Sequence, residues 1–420
     1  MHILMINQFF WPDVAPTGQY LADLARHLAA EGHEVTVICS REVYGQSVND
    51  GQAPPPVRVI RVPGAPFKRT FVSRMLSYAT FLAGSVWSSF WVRRPDIVLT
   101  MTTPPLLSLT GTLLKSIRGT RHFIWEMDMF PDALVTTGAM AERSLLVRLL
   151  GRLQLASQRR ADGIIALGPC MQTRLIANGV PPELIHVAEN WADSRLIEPA
   201  PSRSAGPLHI LYSGNLGMAH DIGTVADALR FFRNDSRFIF SFAGGGVGKA
   251  RLERVCEAES IQNVRFLPYS DRERMSAHLA QADVGLVTEL AACLGTVVPS
   301  KVYGLMAAAR PVLFVGPNSA TPALLIARFE CGWQIEPGDS RSLINLLEQL
   351  SRDRTQVQRR GQQARTAFEQ NYDTPTGVRR VAEALGFAAD AQATAWHVAS
   401  TAFPPLDRTA ELSNETVSSS

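Results

Sequence analysis

Three carboxylates crowd one short stretch. Residues 125–132 read Trp-Glu-Met-Asp-Met-Phe-Pro-Asp, which places Glu126, Asp128 and Asp132 just past an apolar run. A carboxylate at the C-terminal edge of a sheet can take a proton from a substrate hydroxyl. For Asp128 the alternative is a helix N-cap, with its side chain accepting from free backbone amides. Glu126 and Asp128 also resemble a paired-carboxylate metal motif, but with no third ligand they predict no metal site. Residues 298–304 (Val-Pro-Ser-Lys-Val-Tyr-Gly) open a helix, with Ser300 at the N-cap and Lys301 in the first turn. A lysine there opposes the helix dipole by about 0.3–1 kcal/mol. A bound diphosphate reverses that sign, so Ser300 and Lys301 are expected to hold one.

Glycine loops supply the complementary surface. Residues 213–217 (Ser-Gly-Asn-Leu-Gly) follow a strand and precede a helix, so Gly214, Asn215 and Gly217 can bring backbone amides close to an anion. A tight strand-to-helix turn is the plainer reading. Residues 15–18, with Thr17 and Gly18, occupy the matching place near the N-terminus, and the two loops are expected to face one cleft. Residues 243–250 (Ala-Gly-Gly-Gly-Val-Gly-Lys-Ala) invite a nucleotide-motif reading that fails. Ala243 stands where a P-loop needs glycine, Ala250 where it needs Ser or Thr, and Lys249 and Arg251 break both dinucleotide registers. What remains is a glycine-rich turn around Gly245, either ligand-facing or purely structural.

These residues need elements to position them. Strand patterns fall at 2–7, 34–39, 57–62, 97–101, 121–125 and 163–167, with helical spacing over 19–31, closed by Gly32, over 71–92, 106–117 and 145–160. The theme restarts at 208–213 and continues through strands at 237–243, 264–267, 284–287 and 311–315. Their intervening helices lie at 222–232, 249–259, 273–280 and 301–308. Alternating strands and helices predict an α/β fold with two doubly wound, Rossmann-like sheets. Residues 199–207 are dense in Pro, Ser and Gly and read as a linker. The expected domains are 1–199 and 200–370, followed by a C-terminal helix at 371–388 packing back on the first domain. A frayed tail is expected at 389–420. A ligand cleft then lies between the carboxyl ends of both sheets.

Composition narrows the function. Lys+Arg 41 against Asp+Glu 38 gives a net charge of +3, far from the basic excess of a nucleic-acid binder. The 5 cysteines are odd in number, widely spaced and form no Cys-x-x-Cys pair, which argues against a disulfide framework and for a cytoplasmic compartment. No signal peptide is read at the N-terminus. Residues 71–92 approach the roughly 20 residues that span a bilayer. Arg74 and several serines interrupt that stretch, so a buried or interfacial helix is expected. Trp87, Phe90 and Trp91, followed by Arg93 and Arg94, would suit a membrane surface.

Taken together, the segments at 1–38, 125–132, 189–193 (ENWAD), 211–217, 242–246, 264–269 (VRFLPY), 282–287 (ADVGLV) and 298–313 resemble the retaining GT-B glycosyltransferases of family 4. The nearest likeness is to the subgroup of exopolysaccharide, colanic-acid or O-antigen assembly, including fucosaminyl-type enzymes. The resemblance implies transfer from a nucleotide-diphosphate sugar, UDP-linked in preference to GDP-linked, with retention and without a cofactor or metal. It implies a polyprenyl-diphosphate-linked saccharide acceptor at the inner face of the cytoplasmic membrane. By the same resemblance, Gly18, Gly214, Asn215, Gly217 and Gly245 line the donor diphosphate, Ser300 and Lys301 bind its oxygens, and Leu267 and Pro268 receive the base. Asp128 and Lys301 stand at the catalytic positions, and Thr17, Glu126, Asp132 and Asn190 on the acceptor or hinge side. The sequence departs from the family at two glutamate positions, occupied here by Thr296 and Gly304, with Glu289 a possible substitute. Those absences leave a non-catalytic binder of sugar nucleotides or glycans, or a sugar-nucleotide epimerase, as alternatives.

Overall fold

A computed structural model describes residues 1–13, 15–42, 56–66, 71–201, 203, 205–270 and 274–387; the tail expected at 389–420 lies outside them. Among the described residues the first half holds seven strands: β1 (His2–Ile6), β2 (Glu34–Ser40), β3 (Arg58–Val62), β4 (Ile97–Thr100), β5 (Arg121–Trp125), β6 (Gly163–Ala166) and β7 (Ile185–Val187). Its helices are α1 (Pro16–Ala30), α2 (Phe71–Trp91), α3 (Ser108–Arg118), α4 (Asp132–Thr136), α5 (Leu145–Gln158) and α6 (Pro169–Ala177). The second half holds β8 (Leu208–Ser213), β9 (Phe238–Ala243), β10 (Val264–Leu267), β11 (Val284–Thr288), β12 (Val312–Val315) and β13 (Gly332–Ile335). Around them lie α7 (Gly223–Phe231), α8 (Val247–Ala258), α9 (Met275–Ala280), α10 (Lys301–Ala307), α11 (Thr321–Phe329), α12 (Ser340–Arg352), α13 (Thr355–Asn371) and α14 (Thr374–Ala384).

Both sheets are parallel and wound the same way: β3-β2-β1-β4-β5-β6-β7 and β10-β9-β8-β11-β12-β13. The expected pair of doubly wound α/β sheets is therefore present. In each, the order reverses beside the first strand, between β1 and β4 and between β8 and β11. A crevice opens there at the carboxyl ends. Strands such as β1 are buried along their whole length because helices cover both faces. Helix α1 begins at Pro16, three residues before its periodicity suggests, since proline needs no amide partner in a first turn. Gly32, at φ +82, takes the left-handed turn that follows the helix.

The chain crosses between the halves twice. Ala188 still belongs to the first core, whereas Leu196 and Ile197 pack in the second, so the first crossing precedes residues 199–207. The return crossing lies beside it. Asp373 accepts from Ser194 N at 3.0 Å and Ser194 Oγ at 2.8 Å, and caps α14 through Thr374 N. Helix α14 then docks on α1, burying Val378, Val381, Ala382 and Leu385 in the first core.

Candidate functional site

A cavity of about 280 Å³ opens between the halves. Pro16, Gln19, Tyr20 and Asp23 of α1 form one wall. Trp191 and Asp193 of the first crossing form its base, and Ser213, Gly214, Tyr269, Ser300, Lys301 and Gly304 form the opposite wall. Trp191 holds the corner. Its indole stacks on Trp125 at 5.9 Å, meets the Tyr20 ring edge-on at 5.0 Å, and donates to Asp23 Oδ2 at 3.1 Å. A Cβ on Gly377 would overlap that indole, so α14 can approach only as glycine at this point.

Lys301 is the cationic centre. Its ammonium lies 5.3 Å over the Tyr212 ring and makes no ion pair or hydrogen bond among the described residues. Burial draws it down from 10.5 to about 8, so it stays charged at neutral pH. Its room comes from Gly214, at φ +132, where a Cβ would stand 2.5 Å from Lys301 Cε. The neighbouring His220 is neutral: burial, then the nearby lysine, lowers it to about 4. His220 Nδ1 meets Thr288 O at 2.7 Å, and the Tyr212 hydroxyl donates to Asn215 O at 2.7 Å, pinning the loop after β8 to the end of β11. Ser300 starts α10 without capping it. The Tyr20 hydroxyl donates to Trp191 O at 3.3 Å, and the Ser300 side chain approaches it from across the cavity. Desolvation raises that phenol above its usual value, and the contact opposes the rise.

An unpaired buried cation beside side-chain-free backbone is a site for an anion. Among protein-family models, the "Glycosyl transferase 4-like domain" matches residues 17–191 and "Glycosyl transferases group 1" matches residues 194–367. The chain belongs to these glycosyltransferases. WbjE of Pseudomonas aeruginosa, assigned as a glycosyltransferase, is 26% identical over 88% of this chain and 94% of its own. WcaI of Escherichia coli K12, assigned to colanic acid biosynthesis as a glycosyl transferase, is 26% identical over 73% of this chain and 81% of its own. Among solved structures, sucrose-phosphate synthase from Thermosynechococcus elongatus superposes with a TM-score of 0.72 at 16% identity, covering 92% of this chain and 98% of that one. Anabaena HepE, in complex with UDP and glucose, gives 0.70 at 16% identity over 92% and 99%. Those likenesses identify the fold as GT-B.

Within this glycosyltransferase the carboxylates part company. Glu126 turns inward, accepting from Gln158 Nε2 at 2.6 Å and Gln154 Nε2 at 3.2 Å; burial raises it to about 7. Asp132 accepts from Arg174 at 3.1 Å and Asn178 at 2.9 Å, inside the first half. Asp128 is the most exposed of the three, and its backbone pairs with Val297 of the second half. Protein packed around that opening raises its carboxyl to about 6. It caps no helix, since the N-cap of α4 is Pro131. Glu289 is a fourth carboxylate, buried with both oxygens unpartnered and raised to about 8 by desolvation.

The glycines divide as well. Gly214 lines the cavity, whereas Gly18, Asn215, Gly217 and Gly245 do not. Gly18 lets α1 press onto the Phe9–Phe10 backbone, where a Cβ would sit at 3.1 Å. The turn at 243–250 braces the site from behind: Leu216 N donates to Gly245 O at 2.8 Å and Gly248 N to Leu216 O at 2.9 Å. Lys249 spends its ammonium on Gly244 O at 2.9 Å and Leu267 O at 2.6 Å. Leu267 and Pro268 fall just short of the cavity, and the exposed ring of Tyr269 reaches it. Thr17 accepts from Asn7 at 3.3 Å. Asn190 is buried beside the crossing with an unpartnered Oδ1. Tyr20, Asp23, Trp191 and Tyr269 lie within segments that carry the resemblance but are not singled out as site residues, since an aromatic on a helix or after a strand reads as core and a lone helical aspartate as a solvated charge.

Proposed function

We propose that this enzyme transfers a sugar from a nucleoside-diphosphate sugar, UDP-linked, to a lipid-linked saccharide acceptor with retention, at the cytoplasmic face of a membrane. The observation that carries the donor reading is the unpaired ammonium of Lys301 set against Gly214. A diphosphate there meets a full positive charge that needs no rearrangement, which is the condition for preorganised electrostatic stabilisation. Tyr269 offers an exposed aromatic face for the base, and Gly304 leaves open space where a Cβ would have its nearest neighbours at 3.8 and 3.9 Å. HepE was crystallised with UDP and with UDP-glucose, which supports the choice of nucleotide.

In the transfer, the acceptor oxygen bonds to the anomeric carbon as the bond from that carbon to the diphosphate breaks. The electron pair leaves with the phosphate oxygen, and the acceptor's proton passes to that same oxygen on the same face. Lys301 holds the growing charge. Asp128, at the seam between the halves, orients the acceptor hydroxyl. Closure of the halves excludes water and spares the donor from hydrolysis. WbjE and WcaI support a saccharide product, and the apolar helix α2 supports action at a membrane surface. The test is a binding screen of UDP, GDP and ADP with their sugars, followed by transfer to polyprenyl-diphosphate saccharides and NMR of the new linkage. Tight binding of GDP alone, or an inverted anomer, overturns the corresponding part.

A further inference from the structure

Helices α2, α3 and α5 follow successive rightward crossovers of the first sheet and so lie side by side on one of its faces. Arg118 of α3 donates to Phe90 O and Val92 O at the end of α2. Ser108 and Thr112 of α3 bond to Gln154 and Ser157 of α5. The outward side of this layer is apolar. Trp87 is 68% exposed, Trp91 73% and Leu145 79%, joined by Leu76, Ile117 and Leu149. On α2 and α5 these residues recur at helical spacing, so each helix turns a continuous apolar stripe to solvent.

Charge on this layer has one sign. The three helices contain no Asp or Glu, and carry Arg74, Lys115, Arg118, Arg148 and Arg152. Lys115 is used by Asp162 and Arg118 by the α2 carbonyls, so both have structural work. Arg74, Arg148 and Arg152 are exposed and make no ion pair among the described residues. A second copy of the chain would oppose these arginines to their own images across a two-fold axis, which disfavours self-association. Exposed tryptophan and leucine on neighbouring helices, accompanied by arginines and by no carboxylate on those helices, match the headgroup boundary of an anionic bilayer. No described helix is long and apolar enough to cross a membrane, so the fit is to a surface.

We propose that α2, α3 and α5 together form a docking platform for an anionic phospholipid bilayer, with α5 as essential as the tryptophan-bearing α2. The inference deepens the membrane-surface part of the proposed function and rests on it. The experiment uses the full chain and sucrose-loaded vesicles of phosphatidylcholine with or without phosphatidylglycerol. Expected are co-sedimentation with the anionic vesicles and quenching of tryptophan emission by brominated acyl chains, the latter needing no variant. Leu145→Ser with Leu149→Ser lowers partitioning about tenfold or more, and Arg148→Glu with Arg152→Glu about thirtyfold. Both variants keep the wild-type melting temperature. Unchanged partitioning of the α5 variants confines docking to α2 and overturns the platform. So does absence of vesicle binding, or a dimer in ultracentrifugation that the leucine variant dissolves. Transfer to a water-soluble acceptor, measured in parallel, reads the enzyme's chemistry alone. Its failure counts against the proposed reaction and leaves the vesicle result standing.

Discussion

Lys301 is predicted to cost the free enzyme stability that its ligand restores. Burial moves the ammonium from 10.5 to about 8, and each pKa unit corresponds to about 1.4 kcal/mol. Holding that charge at neutral pH therefore costs up to about 3 kcal/mol, and about 1–3 kcal/mol once its contact with cavity water is allowed for. Lys301→Met keeps the length of the side chain and removes the charge. The variant should melt about 3–10 °C higher than wild type in the absence of ligand at pH 7. It should bind UDP about 10- to 100-fold more weakly, the value of a charge-assisted contact. The folded pKa lies below the unfolded one, so the penalty is present below about pH 8 and fades between 8 and 10.5 as the folded protein loses the proton first. Wild-type stability should thus rise across that window relative to the variant. UDP affinity should fall above about pH 8 in the wild type only. Differential scanning calorimetry and isothermal titration over pH 6–10 (about that range suffices) read both. A variant that melts lower, or that binds UDP like wild type, refutes the assignment.

Further outcomes follow from the same geometry. Gly214→Ala forces a Cβ onto Lys301 Cε at φ +132 and should lose about 1–3 kcal/mol along with UDP binding. Gly304→Ala has open space and should gain about 0.5–1 kcal/mol of helix stability in a thermal melt. Glu289, raised from 4.5 to about 8, keeps its proton folded where the unfolded chain releases it, so wild-type stability falls as pH climbs through that window. Glu289→Gln should accordingly gain about 2–4 kcal/mol on wild type between pH 5 and pH 8, measured by denaturant titration. Asp128→Asn should remove the acid limb near pH 6 from the kcat/KM profile; a limb that persists assigns it to another group.

The strands were legible because buried parallel strands are short apolar runs bounded by loops, and β8 and β10 coincide with the runs at 208–213 and 264–267. Lys301 and Gly214 were legible for a local reason: a lysine in a first turn and a glycine after a strand are each odd without an anion. Glu126 and Asp132 show the limit. Their partners, Gln154, Gln158, Arg174 and Asn178, arrive on later helices, so spacing alone could not tell a cleft carboxylate from a buried one. The glycine turn at 243–250 misleads in the same way. Its glycines answer to backbone packing, since a Cβ on Gly244 would overlap Gly214 O, and that neighbour is distant in sequence. Tyr20 and Trp191 become a site only through the docking of α1, β5 and the first crossing.

Trp191 and Gly377 fill one volume from two distant places in the chain. Neither can change size alone: a larger residue at 377 has nowhere to go while the indole is present, and a smaller residue at 191 leaves a hollow under α14. Divergence at these two positions should therefore be correlated across descendants of this chain. A sequence that has traded the indole away is one in which alanine or serine can stand at 377, and in which the corner between α1, β5 and α14 has been rebuilt as a unit.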